Sequence, residues 1–361
     1  MSAPRLEFHL DRIGHNARAL VDRLRLVGVR VCGVTKATLG SPEVAREFLD
    51  SGVTSLGESR IEGVEQLRRA GITTEIMLVR SPMISQVDRV VAGVDVSLNS
   101  ELAVMERLSE SAGRQRTSHG VVLMVELGDL REGIMPADLP DTVRQVLRLP
   151  GIVLRGVGTN LSCQNGIIPD STSMAELSDL ATSIEAVFGV ELDIVTGGNS
   201  ANLPWALEPG ADIGRINHLR LGESILLGRE PIRRTVIEGL HADAVSVVGE
   251  VIESKAKPSR PWGERGQTAF GRLVDDLPME IGVHRVIDGS RVIVALGRQD
   301  LDTEGIVPPA GYVVLGSSSD HLVLSCHGDL PRVGTEIRFG VDYSAMMRAA
   351  ASPFVGRRYL R

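Results

Sequence analysis

Short apolar runs alternate with amphipathic stretches through roughly the first 220 residues of the chain. Asp11 to Val27 places Ile13, Ala17, Leu20, Val21 and Leu24 at helical spacing, which predicts a helix with one buried face. The next run, Val29 to Val34, is short and rich in β-branched residues, as a buried strand requires. Ser41-Pro42-Glu43 then opens a helix to Asp50, because serine caps the first N–H groups and proline suits the first helical position. The pattern repeats. Strands are expected at 53–56, 74–79, 94–98, 119–127, 151–157, 192–196 and 212–217, and helices near 59–70, 85–92, 100–112, 138–147 and 173–188. Strands joined through helices run parallel, and eight of them close a (β/α)8 TIM barrel. An open doubly wound sheet is the alternative. It is disfavoured because no G-x-G-x-x-G turn follows the first strand.

Past Pro231 the helical period disappears. Runs at 241–252, 284–287, 291–296, 312–315, 321–325 and 335–339 read as short strands separated by turns such as Asp288-Gly289 and Gly328-Asp329. The expectation is an α/β protein, a (β/α)8 barrel over residues 1–230 followed by a C-terminal all-β domain over 231–361.

Composition narrows the class. A net charge of −7, with no long basic run, argues against a nucleic-acid partner. The three cysteines, Cys32, Cys163 and Cys326, lie far apart with no C-x-x-C spacing, which gives no metal signal and fits a reducing compartment. Neither a signal-peptide core nor an apolar run long enough to cross a bilayer is present in this sequence, so a cytoplasmic protein without a membrane partner is expected.

Lysine is scarce. Lys36 is the sole lysine in the first 254 residues and stands at the end of the Val29–Val34 run. An apolar strand end is expected to desolvate it and free its amine for use as a nucleophile or Schiff-base former. In a barrel, functional residues follow the strands. Those positions hold Lys36, Glu58, Arg80, Asn99, Asp129, Arg131, Asn160, Asn199, Ser200 and Arg220, a set suited to an anionic ligand bearing a carbonyl. Thr196-Gly197-Gly198-Asn199-Ser200 after the seventh strand and Arg220-Leu221-Gly222-Glu223-Ser224 after the eighth supply exposed N–H groups and hydroxyls for a phosphate. Phosphate, lysine and barrel together point to pyridoxal 5'-phosphate.

These residues resemble the alanine racemase-like, fold-type III pyridoxal-phosphate enzymes, and most of all the alanine/ornithine racemase branch. The motifs are Val34-Thr35-Lys36-Ala37, the segment Val125 to Gly133, Thr196 to Ser200, Arg220-Leu221-Gly222, and a closing Tyr343. The resemblance implies that Lys36 holds the cofactor as a Schiff base and acts as one base. It further implies that Ser200, Gly222 and Tyr343 bind phosphate, that Arg131 contacts the phenolic oxygen or the lysine, and that Arg220 pairs with the pyridine nitrogen. Asn160 and Asn199 count among the cofactor contacts. The family's second base, a tyrosine in a glycine-tyrosine-glycine turn, has no counterpart, since Tyr312, Tyr343 and Tyr359 lie in other contexts. His321, oriented by Asp320, is the candidate in its place. Asp300 and Ser319 are the candidate substrate contacts, with Asp129 and Glu132 as further acids for a cationic side chain. The resemblance implies an amino-acid racemase (an isomerase) acting on ornithine or another cationic amino acid, as a homodimer in which the β domain completes the site. A broad-specificity or alanine racemase, and a non-catalytic pyridoxal-phosphate carrier, are the alternatives.

Overall fold

A computed structural model describes residues 2–258, 266–270 and 289–361 of the chain. The strand expected at 284–287 lies outside the described residues. The chain divides into two compact units, one over His9–Ala244 and one over Val245–Leu360 together with the N-terminal segment through Phe8. The first strand, β1 (Arg5–His9), is absent from the apolar-run reading because its partners lie at the far end of the chain. It pairs antiparallel with β10 (Val245–Ala256), Arg5 opposite Val248 and Phe8 opposite Val245.

In the His9–Ala244 unit, eight parallel strands close a barrel in chain order. They are β2 (Arg30–Val34), β3 (Ser55–Glu58), β4 (Ile76–Leu78), β5 (Val96–Asn99), β6 (His119–Met124), β7 (Ile152–Gly158), β8 (Ile194–Gly198) and β9 (His218–Leu221). The helices form where the period predicts them. Leu10–Arg25 buries Ile13, Ala17, Leu20 and Leu24, and Pro42–Asp50 is capped by Ser41, whose hydroxyl accepts from Val44 N at 3.3 Å. Residues 231–244 pack with this unit, because buried Asn16 donates to both Ile225 O (3.0 Å) and His241 O (2.9 Å) and so ties them to the first helix.

The barrel core includes Cys32, Met77, Val96, Leu98, Val122, Met124 and Ile194, contributed by alternate positions of the strands. The two-residue period places Thr196 on the same face of β8 as Ile194, and His218 and Arg220 on one face of β9. These polar residues explain the one misplaced barrel strand. The eighth strand is His218–Leu221 and not 212–217, because a buried histidine and arginine break the apolar run that marks the others. Arg220 accordingly lies in the strand itself and not in the loop after it.

The second unit is an antiparallel sheet with the path β12 (Ile306–Val307), β15 (Glu336–Val341), β10, β11 (Ser290–Ala295), β14 (His321–Cys326), β13 (Tyr312–Ser317), and with β1 joined to β10 and to β16 (Gly356–Leu360). It also carries one helix that the strand-like pattern does not predict, Tyr343–Ala351, capped by Asp342 on Ala345 N at 2.8 Å. At the start of the sheet, Arg5 bridges Glu7 (2.8 Å) and Glu336 (2.6 and 2.7 Å), with Arg338 on the far side of buried Glu7. Among the described residues no helix is long and apolar enough to cross a membrane.

Gly156 on β7 faces the backbone of its neighbour so closely that a β-carbon would stand 1.8 Å from Ile194 O. Gly156→Ala is expected to cost the barrel unit about 3 kcal/mol through forced strand separation. Urea unfolding followed by Trp205 fluorescence checks this, and an unmoved midpoint would show that the strands relax without cost.

Candidate active site at the barrel mouth

The C-terminal ends of the barrel strands bring most of the residues read from the sequence into one rim. Strand β2 ends at Val34, Thr35 turns at φ −94° and ψ 0°, and Lys36 opens a 3-10 turn, Lys36–Thr38. That turn lifts the lysine off the strand, so its side chain is exposed and not desolvated by the apolar run. Among the described residues it makes no hydrogen bond or ion pair. Gly222, just past β9, packs onto the end of the same strand. A β-carbon there would stand 3.1 Å from Val34 O, so glycine is what lets the β9 loop reach the lysine turn.

Arg220 is 4% exposed and points into the barrel. Its Nη1 donates to Thr196 Oγ1, and its Nη2 donates to Thr159 O (2.9 Å) and Asn160 Oδ1 (3.3 Å). All three partners are neutral. Burial therefore pulls the guanidinium down to about 10, still charged at neutral pH, with no carboxylate hydrogen-bonded to it among the described residues. Beneath it, His218 Nδ1 meets the same Thr196 Oγ1 at 3.0 Å, and its Nε2 has no partner. Burial lowers His218 from 6.5 to about 3, so the ring is neutral. A neutral ring accepts at one nitrogen, which fits a chain in which Thr196 donates to His218 and accepts from Arg220.

From Arg220 the network runs outward. Asn160 Oδ1 also accepts from Asn199 Nδ2 (3.1 Å), which reaches Leu161 O (3.0 Å) and Cys163 Sγ (3.5 Å), while Asn160 Nδ2 is buried without a partner. Asn199 Oδ1 caps the next turn by accepting from Ala201 N at 2.8 Å. Its side chain is thus a brace between the loops after β7 and β8. Ser200 joins the last loop pair, since its Oγ lies 3.0 Å from Ser224 Oγ and accepts from Ser224 N at 3.2 Å. Both serines are buried, and with Gly222 they form a polar lip.

Arg131 stands on the loop after β6, exposed and paired with Glu132, which holds its guanidinium above the usual range, with Cys163 contributing. The loop itself is held by two carboxylates. Glu126 accepts from Gly128 N (2.6 Å), Leu130 N (3.0 Å) and Arg131 N (3.2 Å), and Asp129 from Gln164 N (3.0 Å) and Asn165 N (2.9 Å). Asp129 is 1% exposed and so is a latch, not an acid offered to a substrate.

The remaining candidates belong to the sheet unit. Tyr343 is the first residue of its helix. Asp300 Oδ2 accepts from Gly297 N (2.8 Å) and closes the turn after β11, with its carboxyl raised by burial and by Asp320. Ser319 O accepts from Gln299 N (3.0 Å). Asp320 does not orient His321. Its Oδ1 accepts from Gln299 Nε2 at 2.8 Å instead, because the two side chains leave the backbone at the start of β14 on opposite sides, and His321 is exposed.

His218 and Cys163 take part in the site although nothing in their spacing marks them, and Thr196 and Ser224 do so as members of the two loops read as a phosphate cradle.

The chemistry of this donor set is specific. A buried cation hydrogen-bonded only to neutral groups, an orphaned amide N–H₂ and two coupled hydroxyls at a glycine loop ask for a planar acceptor carrying an anion. A nearby lysine side chain, exposed and unpaired, adds a nucleophilic amine.

Two predictions follow from Arg220 and His218. Replacing an unpaired buried cation by an apolar side chain of similar volume removes a desolvation cost, so Arg220→Met is expected to leave the cofactor-free protein neutral to about 2 kcal/mol more stable. A clear loss of stability in denaturant titration would mean that the guanidinium is compensated. His218 has a folded pKa of about 3 against 6.5, so the unfolded chain takes up its proton first. Its contribution is complete above pH 6.5 and falls away as pH drops toward about 3. The acid-side slope of unfolding free energy against pH is expected to be shallower in His218→Gln.

Comparison with known proteins agrees with this geometry. Residues 8–230 match the family described as alanine racemase, N-terminal domain. The chain is 38% identical to the lysine racemase of Thermotoga maritima and 32% identical to the ornithine racemase of Acetoanaerobium sticklandii, in both cases over 99% of each chain. Among solved structures, alanine racemase from Streptomyces coelicolor superposes with a TM-score of 0.76 at 18% identity, covering 98% of this chain and 97% of that one. D-threonine aldolase from Filomicrobium marinum superposes at 0.74 and 17%, covering 99% and 91%.

Proposed function

The chain belongs to the alanine racemase family, and from that premise we propose that it is a pyridoxal-phosphate-dependent racemase of cationic amino acids, ornithine or lysine, working in the cytoplasm. The observation that carries the reading is Arg220, a buried cation with neutral partners at the same barrel end as the unit's sole lysine. The full-length relatives named for lysine and ornithine supply the substrate class.

The donor set fits the cofactor. Ser200, Ser224 and the Gly222 backbone would hold its phosphate, with Tyr343 as a further donor. Arg220 would offer one of its two remaining N–H groups to the ring nitrogen, donating a hydrogen bond without giving up a full proton. Asn160 would turn its orphaned N–H₂ toward the ring, and Arg131 would face the phenolic side. When bound, pyridoxal phosphate acidifies the α-hydrogen of an amino acid attached to it.

The work of the protein is then to move one proton. Lys36 would take it or return it on one side of the substrate's α-carbon, its amine left unpaired for the purpose. Inverting the centre needs a second group on the other side. His321, an exposed imidazole at the start of β14, is the candidate, supplied by the sheet unit of a partner copy in a homodimer. Asp300 and Ser319, on the neighbouring turn, are the candidates for contact with the substrate's terminal ammonium. Since Asp300 already accepts from Gly297 N, its free oxygen is the one that would serve.

The test follows α-hydrogen loss by NMR in heavy water, with the cofactor-loaded protein and single enantiomers of ornithine, lysine, arginine, alanine and serine. Exchange with loss of optical activity, fastest on ornithine or lysine, is expected, and Lys36→Ala is expected to reduce it by at least about 1,000-fold. A coloured, lysine-dependent cofactor with no exchange on any substrate would replace the enzyme by a carrier. Fastest exchange on alanine would move the substrate class. His321→Gln is expected to slow one direction of exchange more than the other, and equal slowing in both would remove it as the second base.

A further inference from the structure

Among the described residues Lys36 makes no hydrogen bond or ion pair, yet the turn that presents it is tightly built. Behind it lies Glu58, the last residue of β3, with a side chain 2% exposed. One carboxylate oxygen, Oε2, lies 3.0 Å from Thr35 Oγ1, the residue immediately before the lysine. The other, Oε1, accepts from Ser59 N at 2.8 Å. The packing leaves room for nothing else. A β-carbon on Gly63 would stand 2.7 Å from Glu58 Cδ, and one on Gly40, which ends the lysine turn at φ +66°, would stand 2.7 Å from Gly63 O. Gln66 Nε2 closes the enclosure by donating to Gly40 O at 3.2 Å.

A buried carboxylate needs compensation. Here it accepts from Ser59 N and lies 3.0 Å from the Thr35 hydroxyl, which also reaches Gly57 O at 3.3 Å. The remaining charge that acts on it is Lys36. Burial outweighs Ser59, Thr35, Arg60 and Lys36, which oppose it, so that the Glu58 carboxyl is held above the usual carboxylate range. Other charged groups nearby are turned elsewhere. Arg60 is exposed, and Glu62 on the adjoining helix is held by Arg89 at 2.9 Å and by Gln86 at 3.4 Å. On the opposite side, Glu223 stands on the loop that Gly222 seats against Val34.

We propose that Glu58 is the positioning residue of Lys36: through Thr35 it fixes the turn that aims the lysine, and its negative charge favours the protonated form of the lysine nitrogen. The inference rests on the reading of Lys36 as the cofactor lysine. A carboxylate at this place would favour positive charge on the cofactor-linked nitrogen. Glu58 touches neither substrate nor cofactor. It acts through Thr35 and through its field.

The experiment is a pH titration of the visible absorbance of the cofactor-loaded protein, for wild type, Lys36→Ala, Glu58→Gln, Glu58→Asp and Thr35→Val. A wild-type chromophore that Lys36→Ala abolishes supports the parent reading, and a chromophore that survives Lys36→Ala overturns that reading and this inference with it. Given a lysine-dependent chromophore, Glu58→Gln is expected to keep it while shifting its titration midpoint down by about one pH unit, the order of shift that loss of a neighbouring charge produces. Glu58→Asp, which keeps the charge, is expected to restore at least half of that shift. A Glu58→Gln midpoint equal to wild type overturns the inference even if activity is reduced, because loss of packing alone would lower activity without moving the titration. Should Glu58→Gln fail to fold, Thr35→Val decides. Loss of the hydroxyl bridge is expected to lower the midpoint in the same direction, and an unmoved midpoint rejects the proposal.

Discussion

A guanidinium enclosed in a barrel with only neutral acceptors is the constraint around which this site is built. Taking Arg220 out of water costs several kcal/mol that Thr196, Thr159 O and Asn160 recover only in part. The sequence around it reflects that cost. Strand β9 gives up its apolar face to His218 and Arg220, β8 places a threonine where β5 and β6 place valine, leucine and methionine, and the histidine below is held neutral so that no second charge enters. A barrel optimised for stability alone would fill this column with aliphatic side chains. The polar column makes sense as preparation for a ligand that brings the missing acceptor.

The same economy of charge appears in the loops. Glu126, Asp129 and Glu230 are spent on backbone N–H groups, Glu230 accepting from Ile232, Arg233 and Thr235. Each carboxylate replaces several water contacts of a loop with fixed ones, which makes the loop part of the scaffold. Arg131 and Cys163 are then carried on rigid supports, and the exposed lysine stands between a latched β3 end and the glycine-seated β9 loop. Precise placement of reacting groups on a barrel rim depends on this kind of support more than on the reacting groups themselves.

Legibility in the sequence followed the same physical division. Seven of the eight barrel strands were readable as apolar runs because a parallel strand is buried on both faces. The eighth was not, since the residues that serve the site are those that spoil the run. Strand β1 escaped for a different reason: pairing with β10 is a long-range fact that a local window does not contain. Lys36, Ser200 and Gly222 announced themselves by rarity or by turn chemistry. His218 could not, because a neutral histidine inside a barrel is defined by its surroundings and by no motif, and Thr196 and Glu58 were legible as strand-end positions but not in the contacts they make. Asp129, read as one of the further acids for a cationic side chain, is occupied by its own loop.

The exposure of Lys36 changes how its reactivity has to be understood. An apolar strand end would have tuned the amine by withdrawing water from it, a mechanism that works equally on any charged state nearby and is lost when a ligand rearranges the mouth. Instead the strand stops at Val34, the turn lifts the amine outward, and the buried group is the partner, Glu58. Placing the carboxylate in the scaffold and the lysine in the solvent-facing turn separates the source of the field from the group that moves. In the proposed role, Lys36 would move without dragging a hydrogen bond with it, while the Glu58 carboxyl stays fixed by Ser59 N, Thr35 Oγ1 and the close approach of Gly63. A field fixed in advance requires no reorganisation as a proton moves, which is how a fixed charge differs from a solvated one.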